Sequence, residues 1–371
     1  MSAGLLAVYA FGPETELGPY VHYGILSMRN RGHVRRAYVY NKEGVQEVDP
    51  GRSVGLWGNA AIGCVWAQNC CTEGPDYVLC KMGNEDVRPG GRPESTTYVA
   101  LTDRGEMYLY RSDLWHLALG AYGFDLALAA TETATIDVLG GDLRRSLKVG
   151  ELVKITQYGV ESTGGGGGRL CALEAIYSMR FDSKVDGVPI AELREALASL
   201  LAPVDADVIV GVPETGAYYA ALLATKAGRP YVPAFVQTTR GRSALLDDMR
   251  ARLSVVQLKA NPVEHLVRGK RVLLVDDSVI SGLTLKAVVQ VLRRKAGARE
   301  ISIAVASPPL RSKCPYGVKM PEREAMMANV LTEEEARMAL EADGLKWPSV
   351  NDLLKVAEAR GLRLCAKCFL P

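Results

Sequence analysis

The sequence predicts two regions of different class: an α+β region with antiparallel sheet, followed by an α/β region built on a parallel sheet. Residues 1–163 hold short β-like runs between turn residues, with one helix-like stretch, as expected of half-buried strands. Residues 190–306 instead alternate amphipathic helical stretches with apolar, β-branched runs, the pattern of a parallel sheet covered on both faces. The two patterns meet at residues 164–168, an uninterrupted run of five glycines that neither a packed helix nor a strand interior tolerates well. The boundary is expected there, giving domains over 1–163 and 169–371.

In the first region, 5–11 is apolar and runs into Gly12-Pro13. It is too short to span a membrane and has no basic flank before it, so it reads as a strand ending in a turn. A helix follows near 20–29, then strands at 37–40, 97–102, 106–110 and 152–156. The second region reads as helix 190–201, strand 207–212, helix 216–227, strands 231–236 and 271–275, helix 284–295 and strand 300–306, with a helical tail beyond. Ligands of parallel sheets bind at the carboxyl ends of the strands.

The chain has 371 residues, of which 48% are hydrophobic and 23% charged, enough to bury a large core. Lys and Arg total 44 against 42 for Asp and Glu, too balanced for a chain whose main work is coating nucleic acid or an anionic membrane. The balance is uneven along the chain. Residues 1–163 carry 15 basic and 19 acidic side chains, net −4, and the remainder carry 29 and 23, net +6. The second region is therefore the better host for an anionic ligand. A cytoplasmic protein is expected, where cysteines stay reduced and more often bind metal or act in catalysis than cross-link.

The segment 272–284, Val-Leu-Leu-Val-Asp-Asp-Ser-Val-Ile-Ser-Gly-Leu-Thr, concentrates the chemistry. It places two acids at the end of a buried strand and then a loop of small residues opening a helix. Asp276 and Asp277 can accept hydrogen bonds from two vicinal hydroxyls. The loop amides, Ser278, Ser281, Gly282 and Thr284 can hold a phosphate at the helix N-terminus. A surface turn with a helix-capping Ser or Asp is the alternative that these residues also satisfy.

This segment resembles the phosphoribosyl pyrophosphate (PRPP) motif of the type I phosphoribosyltransferases. The likeness to one family among them, the glutamine PRPP amidotransferases of purine synthesis, extends over nearly all of 170–371. It runs through Cys171-Ala172-Leu173-Glu174-Ala175-Ile176-Tyr177, Arg180-Phe181-Asp182-Ser183, Val212-Pro213-Glu214-Thr215-Gly216, Val256-Gln257-Leu258-Lys259-Ala260-Asn261-Pro262, Ser307-Pro308-Pro309 and Tyr316-Gly317. The resemblance implies that the loop holding Pro213, Glu214, Thr215 and Gly216 lies against pyrophosphate. It also implies that a segment at about 239–259 closes over PRPP, with Arg240, Arg242 and Lys259 offsetting the leaving charge and Mg2+ bridging PRPP oxygens near Asp276 and Asp277. On the residues alone, those three cations also read as solvated charges on an amphipathic helix. Gln237 and Thr239 replace the Lys and Arg usual before the closing segment, and Ser281 stands where the family usually has Arg.

Eight cysteines occur, at 64, 70, 71, 80, 171, 314, 365 and 368. By itself Cys365-Ala366-Lys367-Cys368 suits zinc, an iron-sulfur cluster or no metal. One branch of the amidotransferases binds a [4Fe-4S] cluster through cysteines at the places taken here by Cys171, Cys314, Cys365 and Cys368, so the resemblance implies that cluster. The first four cysteines are expected to be buried small apolar residues, with a second metal site or a replacement nucleophile as alternatives.

The first region resembles the N-terminal-nucleophile glutaminase domain of the same family, an αββα sandwich. The likeness rests on Ala3-Gly4-Leu5-Leu6-Ala7, on His22-Tyr23-Gly24-Ile25-Leu26-Ser27-Met28-Arg29-Asn30-Arg31-Gly32, and on Ala61-Ile62-Gly63-Cys64-Val65-Trp66 against Gly-Ile-Gly-His-x-Arg. The family's nucleophile is an N-terminal Cys, and Ala3 falls at its position. Trp66 replaces the Arg that would hold the substrate carboxylate, and Met82-Gly83 replaces the Asn-Gly of the oxyanion hole. Ser2 alone does not rebuild the site. The resemblance thus implies an amidophosphoribosyltransferase-like enzyme of purine biosynthesis that makes 5-phosphoribosylamine from PRPP and ammonia, its glutaminase lost. Ammonia would be free or delivered by a separate glutaminase, and the assembly would be a homo-oligomer. The rival expectation is a non-catalytic PRPP or nucleotide sensor that regulates an active relative.

Overall fold

The computed structural model describes residues 3–52, 54–237 and 260–371. The chain separates into two compact units. One comprises residues through Ala191 with Cys314–Lys319 and Gly361–Cys365, and the other comprises Glu192–Lys313, Met320–Arg360 and Ala366–Pro371.

The first unit is built on two antiparallel sheets. Seven strands lie in the order Asp142–Ser146, Ala118–Tyr122, Leu126–Ala130, Gly4–Ala10, Ala60–Trp66, Val34–Asn41 and Gly44–Val48. Six more lie in the order Gly159–Thr163, Leu152–Thr156, Met107–Tyr110, Thr97–Thr102, Tyr77–Met82 and Cys71–Glu73. The central strands of the two sheets touch face to face. Every residue of Gly4–Ala10 and Ala60–Trp66 is buried, because helices Gly18–Ser27 and Thr133–Val138 cover the other face of their sheet. Leu6, Val8, Val21, Ile25, Val65 and Ile136 join in that core. Close approach sets the helix position: a side chain at Gly24 would lie 2.7 Å from Leu6.

The expected αββα layering holds on one side. On the outer face of the second sheet, the loop at 85–93 occupies the place expected for a helix layer. Val87 packs there, the Tyr98 hydroxyl donates to the Gly91 carbonyl at 2.9 Å, and the Tyr110 hydroxyl donates to the Pro93 carbonyl at 2.8 Å. That stretch holds Pro89, Gly90, Gly91 and Pro93, which deny it helical backbone and leave two tyrosines as its anchors.

The glycine run does not end the unit. Gly166 and Val149 exchange backbone hydrogen bonds of 2.7 and 3.2 Å, and a side chain at Gly168 would fall 2.5 Å from Val149 and 2.6 Å from the Asp113 carboxylate. The glycines thus mark close backbone approach inside the unit. The chain continues through a π-helical turn at Glu174–Ser178 before leaving the unit after Ala191. Cys64, Cys70, Cys71 and Cys80, expected as separate apolar side chains, are paired as Cys64–Cys70 and Cys71–Cys80. Cys71 and Cys80 are register partners on adjacent strands, a proximity that spacing alone does not reveal.

The second unit is α/β, with four parallel strands in the order Val208–Gly211, Arg271–Asp276, Glu300–Val305 and Gly344–Lys346. Its core includes Val210, Leu274, Leu285, Val288, Leu292 and Ile303. The run at 231–236, expected as one strand, is broken. Tyr231 bridges Ile209 in parallel, whereas Phe235–Val236 pairs antiparallel with Asn261–Pro262. Pro233 lies between them and cannot donate to a ladder. Among the described residues no helix is long and apolar enough to cross a membrane.

Candidate active site

Two neighbouring parallel strands bring the expected motifs together. Gly211 is the register partner of Val275, so the loop starting at Val212 and the acidic pair starting at Asp276 leave the sheet side by side. The Val212 amide donates to the Val275 carbonyl at 2.8 Å. Gly216 then packs against the acidic pair: a side chain there would lie 2.6 Å from the Val275 carbonyl and 3.2 Å from an Asp276 oxygen. The loop contains a cis peptide between Pro213 and Glu214 and leads into helix Thr215–Ala227. Pro213 and Thr215 are half-buried and Glu214 is exposed.

Asp276 ends its strand, and its carboxylate accepts from the Asp277 amide at 2.9 Å. Ser278 donates to Asp277 at 2.6 Å. The loop turns at Gly282, whose φ of +73° suits glycine, and opens helix Leu283–Arg294. Gly282 is pressed against Met327 and Leu340. Ser278, Ser281 and Thr284 are each half-buried. The arrangement presents carboxylate acceptors at one end and amides at a helix N-terminus at the other, within residues 276–284.

Burial pushes the Asp276 carboxyl well above its ordinary value of 3.8, and the neighbouring Asp277 charge adds to the shift. A raised acid pKa means that the folded chain holds a proton the unfolded chain releases. Stability is therefore lost as pH rises above 3.8 toward the folded-state value. Asp276→Asn removes that loss. We expect the ligand-free variant to melt roughly 2–4 °C higher than the parent at neutral pH, with the gap closing toward pH 4 in a thermal scan. By contrast, Gly216→Ala forces backbone atoms apart and is expected to cost about 1–3 kcal/mol in a urea titration.

Residues 190–316 match the model of the phosphoribosyl transferase domain. This chain carries a phosphoribosyl transferase domain. Its curated relatives include the amidophosphoribosyltransferase of Mycobacterium tuberculosis (strain ATCC 25618 / H37Rv), 34% identical over 253 residues that make up 65% of this chain and 48% of that protein. The amidophosphoribosyltransferase of Bacillus subtilis (strain 168) is 34% identical over 246 residues, 64% of this chain and 51% of that protein. The chain spans about half the length of these relatives. Among solved structures, B. subtilis glutamine PRPP amidotransferase complexed with ADP and GMP superposes with a TM-score of 0.82 at 25% identity, covering 99% of this chain and 96% of that one. These relatives and this structural neighbour share the amidotransferase name, and this chain is similar to them.

The transferase domain thus brings Pro213, Glu214, Thr215 and Gly216 beside Asp276, Asp277 and Ser278, with Ser281, Gly282 and Thr284 along the same loop. Arg240, Arg242 and Lys259, with Thr239 and the rest of the expected closing segment, lie outside the described residues. Gln237 donates to Glu214 at 3.2 Å, so its side chain turns toward the loop expected to face pyrophosphate.

In the first unit, the positions that the resemblance sets against glutaminase residues are buried where they are described. Ala3, Trp66 and Met82 are buried, and the Ala3 carbonyl accepts from Arg31 at 3.1 Å. Ser2 lies outside the described residues. Arg31 is fully buried between Glu132 at 2.6 Å and Glu174 at 2.8 Å. Burial alone would lower its pKa, but the two carboxylates hold it above the usual range. In the sequence Arg31 and Glu174 lie in separate segments, and Glu174, a charge inside the apolar run 171–177, is the one signal available for the triad.

Of the late cysteines, Cys171 and Cys365 are register partners in a two-stranded parallel pair, both buried. Cys314 belongs to the same unit, and its sulfur accepts from the Tyr316 amide at 3.4 Å. Cys368 lies in the second unit, where its carbonyl accepts from the amides of Arg311 and Ser312 at 2.9 and 3.1 Å.

Proposed function

We propose that the chain is a PRPP-dependent amidophosphoribosyltransferase of purine biosynthesis that joins ammonia to C1 of ribose 5-phosphate and releases pyrophosphate. The observation that carries this reading is the pairing of Asp276-Asp277 with the Gly216 loop at the ends of adjacent parallel strands, within a matched transferase domain. Asp276 and Asp277 hold the ribose hydroxyls. Residues 278–284, through Ser278, Ser281, Gly282 and Thr284, cradle the 5-phosphate at the helix N-terminus. Pro213, Glu214, Thr215 and Gly216 face the pyrophosphate, and Arg240, Arg242 and Lys259 offset its charge as it leaves. Excluding water protects the oxocarbenium-like C1 until the amine forms its bond.

A divalent cation fits this site, because burial and then the neighbouring Asp277 charge both disfavour an ionised Asp276, and positive charge offsets both. Mg2+ on the PRPP oxygens would supply Lewis acid character there. For the late cysteines, a donor set of four thiols with Cys171 and Cys365 in register suits a [4Fe-4S] cluster, with zinc as the competing occupant. Cys171, Cys314, Cys365 and Cys368 would hold it in a structural or oxygen-sensing role.

The first unit, a degenerate glutaminase-like domain, serves as support and subunit contact in a cytoplasmic homo-oligomer. Its nitrogen comes from ammonia, free or supplied by a separate glutaminase. A second reading, a non-catalytic PRPP or nucleotide sensor, is favoured by the Gln237–Glu214 contact, which puts a neutral amide where a cation would aid pyrophosphate departure. Purified protein with Mg2+ and PRPP separates the two. The enzyme releases pyrophosphate only when ammonium is added, and a sensor binds PRPP without release under any donor.

A further inference from the structure

We propose that Cys64, Cys70, Cys71 and Cys80 form a metal centre in the first unit that holds one zinc ion through four thiolates once its two disulfides are reduced. The four residues come from three strands or strand ends of two packed sheets: Cys64 from Ala60–Trp66, Cys70 and Cys71 at the start of Cys71–Glu73, and Cys80 from Tyr77–Met82. All four are buried. The sulfurs of Cys64, Cys70 and Cys71 lie within 4.8 Å of one another. Cys64 and Cys71, which belong to different disulfides, approach to 3.2 Å between sulfurs, and Cys80 is bonded to Cys71. Three sulfurs therefore share one small volume, and the Cys80 sulfur, bonded to one of them, lies at its edge.

Two disulfides that merely staple strands have no need to converge. A tetrahedral zinc site does need it: with Zn–S of about 2.3 Å, neighbouring sulfurs stand about 3.8 Å apart, so the bonded sulfurs separate on reduction and Cys80 turns in toward the other three. The surroundings also suit an anionic centre. Arg36 is the register partner of Cys64 and so shares its face of the sheet. Its guanidinium donates to Asn69 at 3.4 Å, and the same Asn69 oxygen accepts from the Cys71 amide. Glu47 and Glu73 also pair with Arg36, both from largely exposed positions.

The chemistry balances. A dithiol reductant gives two electrons and two protons to each disulfide and becomes a disulfide itself, leaving four thiols. Binding of Zn2+ then releases four protons and forms four Zn–S bonds. Zinc, with no redox chemistry of its own, would lock the two sheets together in place of the two S–S bonds.

The test uses the full chain, reduced anaerobically with a dithiol and desalted, then treated with zinc alone. Alkylation mapped by peptide mass should show Cys64, Cys70, Cys71 and Cys80 protected by zinc, with that protection lost at the remaining three in Cys64→Ser and in Cys80→Ser. Cobalt in place of zinc should give the ligand-field spectrum of a tetrahedral tetrathiolate. If a serine variant fails to fold, the parent chain still decides the matter: equal alkylation of these four cysteines with and without zinc overturns the proposal, as does metal binding confined to the late cysteines.

Discussion

Asp277→Ala is expected to lower PRPP-dependent pyrophosphate release by about 100-fold or more, on the scale of losing a buried charged contact in a transition state. The carboxylate lies beside Asp276, accepts from Ser278 at 2.6 Å, and is proposed to hold a ribose hydroxyl whose position fixes C1 against the incoming amine. Because that contact orients rather than merely retains the substrate, kcat should fall as well as the affinity for PRPP. Ser278→Ala removes only the neutral partner and should cost far less, about 10-fold or under. Steady-state kinetics on both variants check this, and equal losses would mean that the loop collapses rather than that Asp277 contacts the sugar.

The largest stability effect is expected in the first unit. Arg31→Met leaves Glu132 and Glu174 buried without their cation, and breaking a buried pair from one side costs about 3–5 kcal/mol. Arg31 ties three segments: its guanidinium reaches Glu132 at 2.6 Å, Glu174 at 2.8 Å and the Ala3 carbonyl at 3.1 Å. Glu132 in turn accepts from Ser183 at 2.7 Å. The triad therefore fastens the start of the chain and the π-helical turn to one sheet. Chemical denaturation monitored at Trp115, which is buried in the same unit, should show the midpoint shift. A companion Glu174→Gln should cost less, because Arg31 keeps Glu132.

The chemistry of the second unit was legible because it is local. An apolar strand, two acids and a small-residue loop occupy 272–284, and the strand ends where the acids begin, as Arg271–Asp276 shows. Helix starts at 190, 215 and 283 follow the same local logic. Residues 231–236 misled, since β-branched and aromatic content overrode the proline inside the run. Long-range closeness was not legible. The glycine stretch reads as a linker until Val149 is found opposite Gly166, and the first four cysteines read as apolar until register places Cys71 against Cys80. The Arg31 triad joins residues more than a hundred positions apart, which no periodicity encodes. The expected loss of glutaminase chemistry rests on three separate substitutions, at Ala3, Trp66 and Met82, all of them buried.

The most direct measurement follows nitrogen from donor to product. Protein, Mg2+ and PRPP are incubated with 15N-ammonium or with amide-labelled glutamine, and the label in 5-phosphoribosylamine is detected by NMR. Labelled amine is expected from ammonium, with one pyrophosphate released per amine, and none from glutamine. Label from glutamine at a comparable rate, or no amine from ammonium, would contradict it.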